Sequence, residues 1–253
     1  MQAIVLTAGN GKRLGPTAGP LPKGLQQVGP CSLLEHHVIA LHEVGVTDIC
    51  MVVGYEAQLI RDAFAGRAQF VTNEDYALTN SLYSLWLARG VIKGPFLQIN
   101  CDVLAEPGVF ERLLNAEGSA LAYDVTSGHD DEHMKVRVQG GFVRAIGKDL
   151  SAPLISGENV GIIKYTADDA RALFRAAGEI IAAGGEKAWA PAAIHRIASA
   201  SSIRAVDVSD LSWCEVDFPQ DLHAARFDVW PRIQARRAAA AGLSVLAAER
   251  TVA

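Results

Sequence analysis

The sequence of 253 residues is poor in cysteine and in aromatic residues, and it carries no surplus of positive charge. Its four cysteines lie far apart and form no Cys-x-x-Cys pair. This excludes a disulfide framework or a zinc site and is typical of reduced thiols in a cytoplasmic protein. The net charge is −5 and no basic stripe is present, so nucleic-acid binding is not expected.

Long hydrophobic runs are also missing. No apolar run reaches the length that spans a bilayer, and no basic segment precedes the first apolar stretch. Neither a membrane span nor a secretory signal is therefore expected. Hydrophobic residues make up 50% and charged residues 20% of the chain, which excludes an intrinsically disordered protein.

The first half of the chain alternates short apolar runs with helical patterns. Residues 3–6, 49–53, 68–71 and 96–99 are predicted as buried strands. Helical periodicity begins near Leu34, Ala57 and Asn80, and Gly45 is expected to close the first helix. This alternation implies right-handed βαβ crossovers and a mainly parallel sheet, as in a nucleotide-binding half.

The second half has a different pattern. Residues 120–125, 161–165, 203–208 and 213–217 are predicted strands, and Gly140-Gly141 predicts a hairpin between residues 135–138 and 142–146. A helix is expected over residues 167–183 and another from Asp221, interrupted at Pro231.

The predicted fold class is therefore α/β, a Rossmann-like, mostly parallel mixed sheet flanked by helices, with a small substrate-binding sub-region. We predict one domain over residues 1–226, with a nucleotide-binding half (1–115) and an acceptor-binding half (116–226). Residues 227–253 are predicted as a C-terminal helical extension.

The most informative motif follows the first strand, over residues 6–14, and ends at Pro22-Lys23. Gly9 and Gly11 let backbone N–H groups approach a polyphosphate, and Arg13 and Lys23 add two cations. A dinucleotide fingerprint needs glycine where Leu14 stands, and a P-loop needs serine or threonine in place of Arg13. An ordinary glycine turn is the alternative, which the two cations disfavour.

This order of residues, Leu-x-Ala-Gly-x-Gly-x-Arg-Leu and then Pro-Lys, resembles the signature of the sugar-nucleotidyltransferase-like family. Thr7 and Gly24 depart from its usual residues. The segment over residues 80–85 is similar to the phosphocholine cytidylyltransferases of the LicC type. Residues 135–150 are similar to the inositol-phosphate, phosphocholine and phosphonate cytidylyltransferases together.

The resemblance implies a nucleotidyltransferase fold of the GT-A-like type and two metal ligands. Asp102 stands where the family has a metal-binding aspartate at a strand end. Asp217 matches the last residue of its Trp-x-Glu-Ile-Asp element. Mg²⁺ is the implied cofactor, because it takes carboxylate, water and phosphate oxygens.

The implied function is a Mg²⁺-dependent cytidylyltransferase that joins CMP from CTP to a small phosphate or phosphonate and releases pyrophosphate. Lys23, Arg13 and Asp102 are the predicted catalytic residues. The predicted nucleotide-binding residues are Leu6, Ala8, Gly9, Gly11, Lys12, Arg13, Lys23, Asn80, Ser81 and Asp102. Asn80 and Ser81 serve equally well as a helix N-cap.

The acceptor site is less defined by sequence. Its candidates are Lys135, Asp124, Glu158, Asn159, Lys187 and Trp189. Choline would favour aromatic walls, for which Tyr123, Tyr165, Trp189 and Trp213 are available. The cations Lys135, Arg137, Lys164 and Lys187 suit a more anionic acceptor, and the sequence does not choose between them.

Residues 129–133, rich in histidine and acid, are expected to form a solvated loop that could act as a lid. His36, His37 and His42 are expected at the surface of the first helix.

Two other functions stay open. One is a sugar-1-phosphate nucleotidyltransferase that uses GTP, UTP or dTTP, and the other is a non-catalytic nucleotide-binding regulator. Family members often dimerise, so a homodimer is a further expectation by analogy.

Overall fold

The computed structural model describes residues 1–128 and 130–239, with the backbone alone for residues 16–18. The strands of this part are β1 (Gln2–Thr7), β2 (Gln27–Val28), β3 (Cys31–Ser32), β4 (Asp48–Val53), β5 (Gln69–Thr72), β6 (Phe96–Asn100), β7 (Val103–Ala105), β8 (Ala120–Asp124), β9 (Lys135–Gln139), β10 (Phe142–Gly147), β11 (Gly157–Tyr165), β12 (Arg204–Asp207) and β13 (Trp213–Glu215). The α-helices are α1 (Leu33–Glu43), α2 (Ala57–Ala63), α3 (Ser81–Leu87), α4 (Pro107–Asn115), α5 (Ala167–Ala182), α6 (Pro191–Ile197) and α7 (Pro219–Ala224).

A mixed sheet forms the centre of the molecule, with the strand order β5-β4-β1-β6-β11-β8-β12-β10-β9. The first four strands in this order run parallel, as predicted. All six residues of β1 are buried, which fits a strand covered by helices on both faces. One apolar cluster on each side of the sheet contains residues of β1. The predicted α/β class with a mixed, helix-flanked sheet is confirmed.

The parallel pairing of β1 and β6 determines where the site forms. In their register Leu6 lies opposite Asn100, so both strands end at the same edge of the sheet. The glycine-rich segment after β1 and the Cys101-Asp102 turn after β6 therefore leave the sheet side by side. The backbone N–H of Cys101 donates to the Leu6 carbonyl, which joins the two exits directly.

Local signals act as predicted at two turns. Ser32 accepts a hydrogen bond from the Glu35 N–H and caps α1, and Gly45 follows this helix with a φ of 78°. Gly140 and Gly141 have φ values of 62° and 80°, and they join β9 and β10 in the predicted antiparallel hairpin.

The C-terminal part differs from the prediction. After α7 the helix continues through a π-helical stretch (Ala225–Val229) into residues 230–239, so Pro231 does not interrupt it. The wider π turn directly before Pro231 accommodates the missing N–H donor. Leu222, Val229 and Trp230 pack with Leu14 in a third apolar cluster. Of the predicted extension, residues 240–253 lie outside the described residues.

Five short elements were not predicted, namely β2, β3, β7, α4 and α6. Of these, β7 pairs with β13, and α4 follows directly after it. Within the described residues, no helix is both long enough and apolar enough to cross a bilayer.

The prediction that the histidines of α1 lie at the surface is wrong for two of the three. His42 is exposed, but His36 and His37 are buried. His37 packs edge-on against Phe110, and burial lowers its pKa to about 4. His37 faces α4, which covers α1, whereas the His36 ring lies 4.3 Å from the ring of Trp230, and its Nε2 lies 2.7 Å from the Val28 carbonyl oxygen.

We expect His37 to make the fold sensitive to acid. Its folded-state pKa lies below the ordinary value of 6.5, so the unfolded chain binds this proton first as the pH falls. From pH 7 to pH 5 the wild type should lose about 2 kcal/mol more free energy of unfolding than His37→Leu. Urea unfolding at both pH values measures this difference, which cancels the contributions of other groups.

His42→Leu on the exposed side of α1 is the matched control and should keep the pH response of the wild type. Equal acid sensitivity of the wild type and His37→Leu would contradict the assignment to His37.

Candidate active site

The residues predicted to bind the nucleotide lie around one cavity of about 280 Å³ at the shared edge of β1 and β6. Leu6, Ala8, Gly9, Gly11, Lys12, Arg13, Lys23, Asn80, Ser81 and Asp102 all line it. The sequence analysis missed further lining residues, namely Asn10, Asn73, Tyr76, Thr79, Ser84, Asn100 and Cys101.

Gly11 has two structural reasons to be glycine. Its φ is 59°, in the left-handed region, and a Cβ on it would lie 3.1 Å from Lys23 Cβ. A Cβ on Gly9 would meet nothing within 4 Å. Gly11 thus lets the loop pack against Lys23, whereas Gly9 leaves open space beside the cavity.

Two cations from the N-terminal loops meet two carboxylates at the cavity floor. Lys23 Nζ lies 3.1 Å from Asp102 Oδ2 and also bonds Asp217 Oδ1. Arg13 reaches the other oxygen of Asp217, at 2.7 Å. Burial alone would lower the pKa of Lys23, but the charges of Asp102 and Asp217 outweigh it and raise this pKa above its ordinary value. The ammonium group therefore keeps its proton.

Backbone contacts hold the two aspartates together. The β7–β13 pairing places Glu215 opposite Val103, and the Val216 N–H donates to the Asp102 carbonyl at 2.8 Å. Asp221 accepts from the backbone N–H groups of Asp217 and Phe218, at 3.0 and 2.7 Å, and fixes the turn into α7. Distant parts of the chain are thus joined by main-chain bonds at the site.

Glu215 is a third carboxylate that the sequence analysis did not assign. Oxygens of Asp102, Glu215 and Asp217 all lie within 4.8 Å of one another. Burial, and after it the charges of Asp102 and Asp217, raises the pKa of Glu215 to about 8. The sequence could have identified Glu215, because Glu215 and Asp217 are two positions apart in an extended segment and their side chains therefore lie on the same side. Cys214 lies directly before Glu215, and Val216 lies between Glu215 and Asp217. Both pack on the third apolar cluster.

This group fits a hard divalent cation. All three side chains offer carboxylate oxygens, the ligand type that Mg²⁺ prefers. Asp102 Oδ1 is buried and has no hydrogen-bond partner, so it is free to accept a further ligand. Asp102, Glu215 and Asp217 are therefore the residues that would hold the metal.

The predicted acceptor residues Asp124 and Glu158 lie opposite each other on β8 and β11, and both are buried. Asp124 accepts from Trp213 Nε1 at 2.9 Å and from Thr126. Glu158 accepts from the Ser127 hydroxyl.

His133 Nδ1 lies 3.3 Å from Glu158, and burial raises the pKa of this carboxyl group. Asp124 and Glu158, opposite each other on adjacent strands, are called the acidic wall below.

The remaining acceptor candidates have different surroundings. Asn159 is buried, and its Oδ1 has no partner. Lys135 donates to the Lys148 carbonyl at 2.8 Å. Trp189 lines the nucleotide cavity, with Lys148 Nζ 5.5 Å from its ring centre. Lys187 lines a separate groove beside α3, together with Tyr83 and Trp86, so the structure does not bring it to the acidic wall.

Two residues considered for the acceptor, Lys164 for an anionic one and Tyr165 for an aromatic wall, have partners elsewhere in the fold. Lys164 Nζ donates to the carbonyls of Leu114 and Ala116 at the end of α4. Tyr165 is fully buried in the core and stacks on Phe96, so it cannot form an aromatic wall. Neither position could be judged from strand periodicity alone, because the contacts come from other elements.

The acidic loop also reaches the site. Glu132 pairs with Arg13 at 3.2 Å and with Lys148 at 2.9 Å, and it thus connects the nucleotide loop to the acceptor half. His129 lies outside the described residues.

Asn80 and Ser81 have structural partners as well as cavity positions. Asn80 Oδ1 accepts from the Ser81 N–H at 2.8 Å and caps α3. Ser81 Oγ accepts from the Ala190 N–H at 2.8 Å. The N-cap reading is supported, and the contact with a nucleotide stays a prediction.

The fold and this cavity together define a nucleotidyltransferase-type domain. The chain belongs to the MobA-like NTP transferase domain family, whose model matches residues 3–206. The predicted membership in the nucleotidyltransferase superfamily is thereby confirmed.

Two relatives are similar over most of this chain. A bifunctional IPC transferase and DIPP synthase of Aquifex aeolicus is 28% identical over 228 residues, covering 88% of this chain and 50% of that protein. A CMP-5′-(3-aminopropyl)phosphonate synthase of Streptomyces rubellomurinus is 30% identical over 266 aligned positions, covering 94% of this chain and 40% of that protein. The chain thus spans half or less of the length of these relatives.

A solved structure has the same fold. The inositol-1-phosphate CTP transferase from T. maritima superposes with a TM-score of 0.77 at 21% identity, over 92% of this chain and 96% of that one. At this identity the likeness establishes the fold alone.

We expect Gly11→Ala to destabilise the protein, because it places a Cβ in left-handed backbone and against Lys23. The free energy of unfolding in urea should fall by about 1 kcal/mol or more. Gly9→Ala is the matched control, and its Cβ would point into open space. A loss for Gly9→Ala that equals the loss for Gly11→Ala would contradict this packing role.

Proposed function

We propose that the protein transfers CMP from CTP to a small phosphonate or phosphate monoester whose other end carries an ammonium group, with release of pyrophosphate. The observation that carries the proposal is the convergence of Lys23 and Arg13 on Asp102 and Asp217 beside the glycine loop. Cations, backbone N–H groups and carboxylates in one cavity are the parts that a nucleotidyl transfer needs.

The reaction asks for positioning and charge neutralisation. An oxygen of the acceptor attacks the α-phosphorus of CTP, a new P–O bond forms, and the bond to the β-phosphate oxygen breaks. The attacking oxygen is anionic near neutral pH, so no strong general base is required. The barrier comes from repulsion between two anions and from charge that grows on pyrophosphate. Lys23 and Arg13 would neutralise the phosphates, and the Gly9–Gly11 backbone would orient them.

A divalent ion such as Mg²⁺ would reduce the same repulsion when bound by Asp102, Glu215 and Asp217. Lys148 lies near Trp189 on the acceptor side of Arg13 and is a further cation for the acceptor's phosphoryl group. The cavity thus offers positive charge where phosphates would meet.

The acidic wall supports an acceptor with a cationic end. Asp124 and Glu158 are both buried, and Trp213, two residues before Glu215 in β13, donates from its ring N–H to Asp124. The edge of an aromatic ring therefore lies beside this carboxylate. A carboxylate beside an aromatic ring is a site for an ammonium group. Lys164, which would have favoured an anionic acceptor, is turned to the end of α4.

The name of one relative agrees with this class. It is named as the synthase of a CMP derivative of an aminoalkyl phosphonate, and its similarity covers 94% of this chain and 40% of that protein. The other relative is named for an IPC transferase activity, and a solved structure of the same fold is an inositol-1-phosphate CTP transferase. An inositol phosphate, whose inositol end carries no charge, is therefore the acceptor against which the proposal has to be tested.

We expect a CMP-linked product from CTP and an aminoalkyl phosphonate. Asp102→Asn and Lys23→Ala should each reduce turnover at least ~10²-fold with the fold intact, as expected for loss of an electrostatic element of the transition state. Phosphorus NMR with Mg²⁺, CTP and separate acceptors measures the product, and circular dichroism measures the fold. The acceptors are 2-aminoethylphosphonate, phosphocholine, inositol 1-phosphate, phosphonoformate and glucose 1-phosphate.

Different results would redirect or end the proposal. Product from GTP, UTP or dTTP and glucose 1-phosphate, but none from CTP, would favour a sugar-1-phosphate nucleotidyltransferase. Nucleotide binding without pyrophosphate release for any acceptor would favour a regulator. Full activity of Asp102→Asn would contradict the assignment of this residue.

Glu158→Gln tests the ammonium end of the acceptor. We expect the KM for 2-aminoethylphosphonate to rise at least ~10-fold, because a buried charge contact is lost, with a change within ~3-fold for inositol 1-phosphate. Steady-state kinetics with both acceptors measures the two ratios. Glu117→Gln, in the exposed segment before β8, is the control and should change neither. Equal losses for the two acceptors would argue against an ammonium site.

A further inference from the structure

The ammonium group of Lys23 lies between two carboxylates, on the side of the cavity away from the open space beside Gly9. It is 3.1 Å from Asp102 Oδ2 and bonds Asp217 Oδ1, and the side chain is largely buried. Its stem is held by the close approach of Gly11. Within the described residues, Lys23 is the cation that contacts both aspartates.

The same oxygens belong to the group that would hold a divalent metal. Asp102 and Asp217 supply two of its three carboxylates, with Glu215 as the third. Asp217 is fully engaged, since Arg13 bonds its second oxygen. A divalent cation placed among these oxygens would lie beside the ammonium group, and like charges at such distances repel strongly in a partly buried site.

We propose that Lys23 is the resident counter-ion of the metal site and exchanges with the metal. In the resting protein it neutralises Asp102 and Asp217. When the nucleotide binds, the ammonium group of Lys23 moves to the phosphates, and a divalent ion takes its place between the carboxylates. This exchange rests on the proposed function, because the triphosphate is the partner that accepts Lys23.

The exchange couples two events that are each unfavourable alone. Departure of Lys23 without a metal leaves the partly buried Asp102 carboxylate without its ion-pair partner and Asp217 with Arg13 alone, which is costly. Entry of a metal with Lys23 in place adds repulsion. Metal and nucleotide therefore load together, and the protein without nucleotide binds divalent ions weakly.

The test is a titration of the full-length protein with Mn²⁺, without nucleotide, followed by electron paramagnetic resonance of the free ion. We expect Lys23→Met to bind Mn²⁺ at least ~10-fold more tightly than the wild type, because repulsion is removed and the carboxylates are released. Lys93→Met is the control. Lys93 is exposed before β6, at the opposite edge of the sheet from the cavity, and makes no ion pair within residues 1–128 and 130–239, so its change should stay within ~3-fold.

A second variant keeps the test valid if Lys23→Met fails to fold. Lys23→Gln retains a donor of similar length and should also tighten Mn²⁺ binding, with circular dichroism as the check on both folds. Adding Glu215→Gln to either variant should reverse the gain, since one of the three carboxylate ligands is replaced by an amide. Mn²⁺ binding by the wild type that is as tight as in the folded Lys23 variant would overturn the exchange.

The two proposals fail in different ways. If the wild type forms the CMP-linked product but no folded Lys23 variant gains Mn²⁺ affinity, the exchange is wrong and the reaction stands. If the variants gain affinity at the acidic group but no acceptor gives product, the counter-ion role is supported and the proposed reaction is wrong.

Discussion

The bridge that Asp217 makes to Lys23 and Arg13 is the contact on which the site depends. Lys23 and Asp217 are 194 positions apart, so this contact forms only when the end of the second half has packed onto the first. Two features bring them together. The β7–β13 pairing carries Glu215 to the edge of the sheet, and Asp221 fixes the turn that presents Asp217. The C-terminal helix, packed over Leu14, holds this arrangement against the nucleotide loop.

The charges around this bridge are ordered across the cleft. Arg13 and Lys23 both bind the Asp217 carboxylate, and Lys148 is joined to Arg13 through Glu132. Asp124 and Glu158 are buried acids of the second half. Under the proposed function, the phosphoryl group and the ammonium group of the acceptor would be drawn to opposite ends of this arrangement. An acceptor whose far end is uncharged would gain from only one end, so the order of charge would discriminate between acceptors that share the same reacting group.

The nucleotide half could be predicted from sequence because its signals are local. The glycine loop, Arg13 and Lys23 follow one buried strand, and β1 and β6 are parallel, so their carboxyl ends had to meet. The acceptor half could not, because Lys164 and Lys135 donate to carbonyls of elements that are remote in sequence. The burial of His37 likewise depends on which helix covers α1.

Stability alone does not account for charges in this position. A buried ion pair returns little net free energy of folding, since the desolvation of two charges offsets their attraction. Apolar side chains in place of Lys23 and Asp102 would hold the loops together at least as well. The ions instead allow contacts within the protein to be exchanged for contacts with a metal ion and with phosphates. Asp102 and Asp217 already have cationic partners in the resting protein, namely Lys23 and Arg13, so substrates replace contacts of the same charge type. Lys23 and Asp102, which are partly buried, are therefore not left as unpaired charges while the substrates bind.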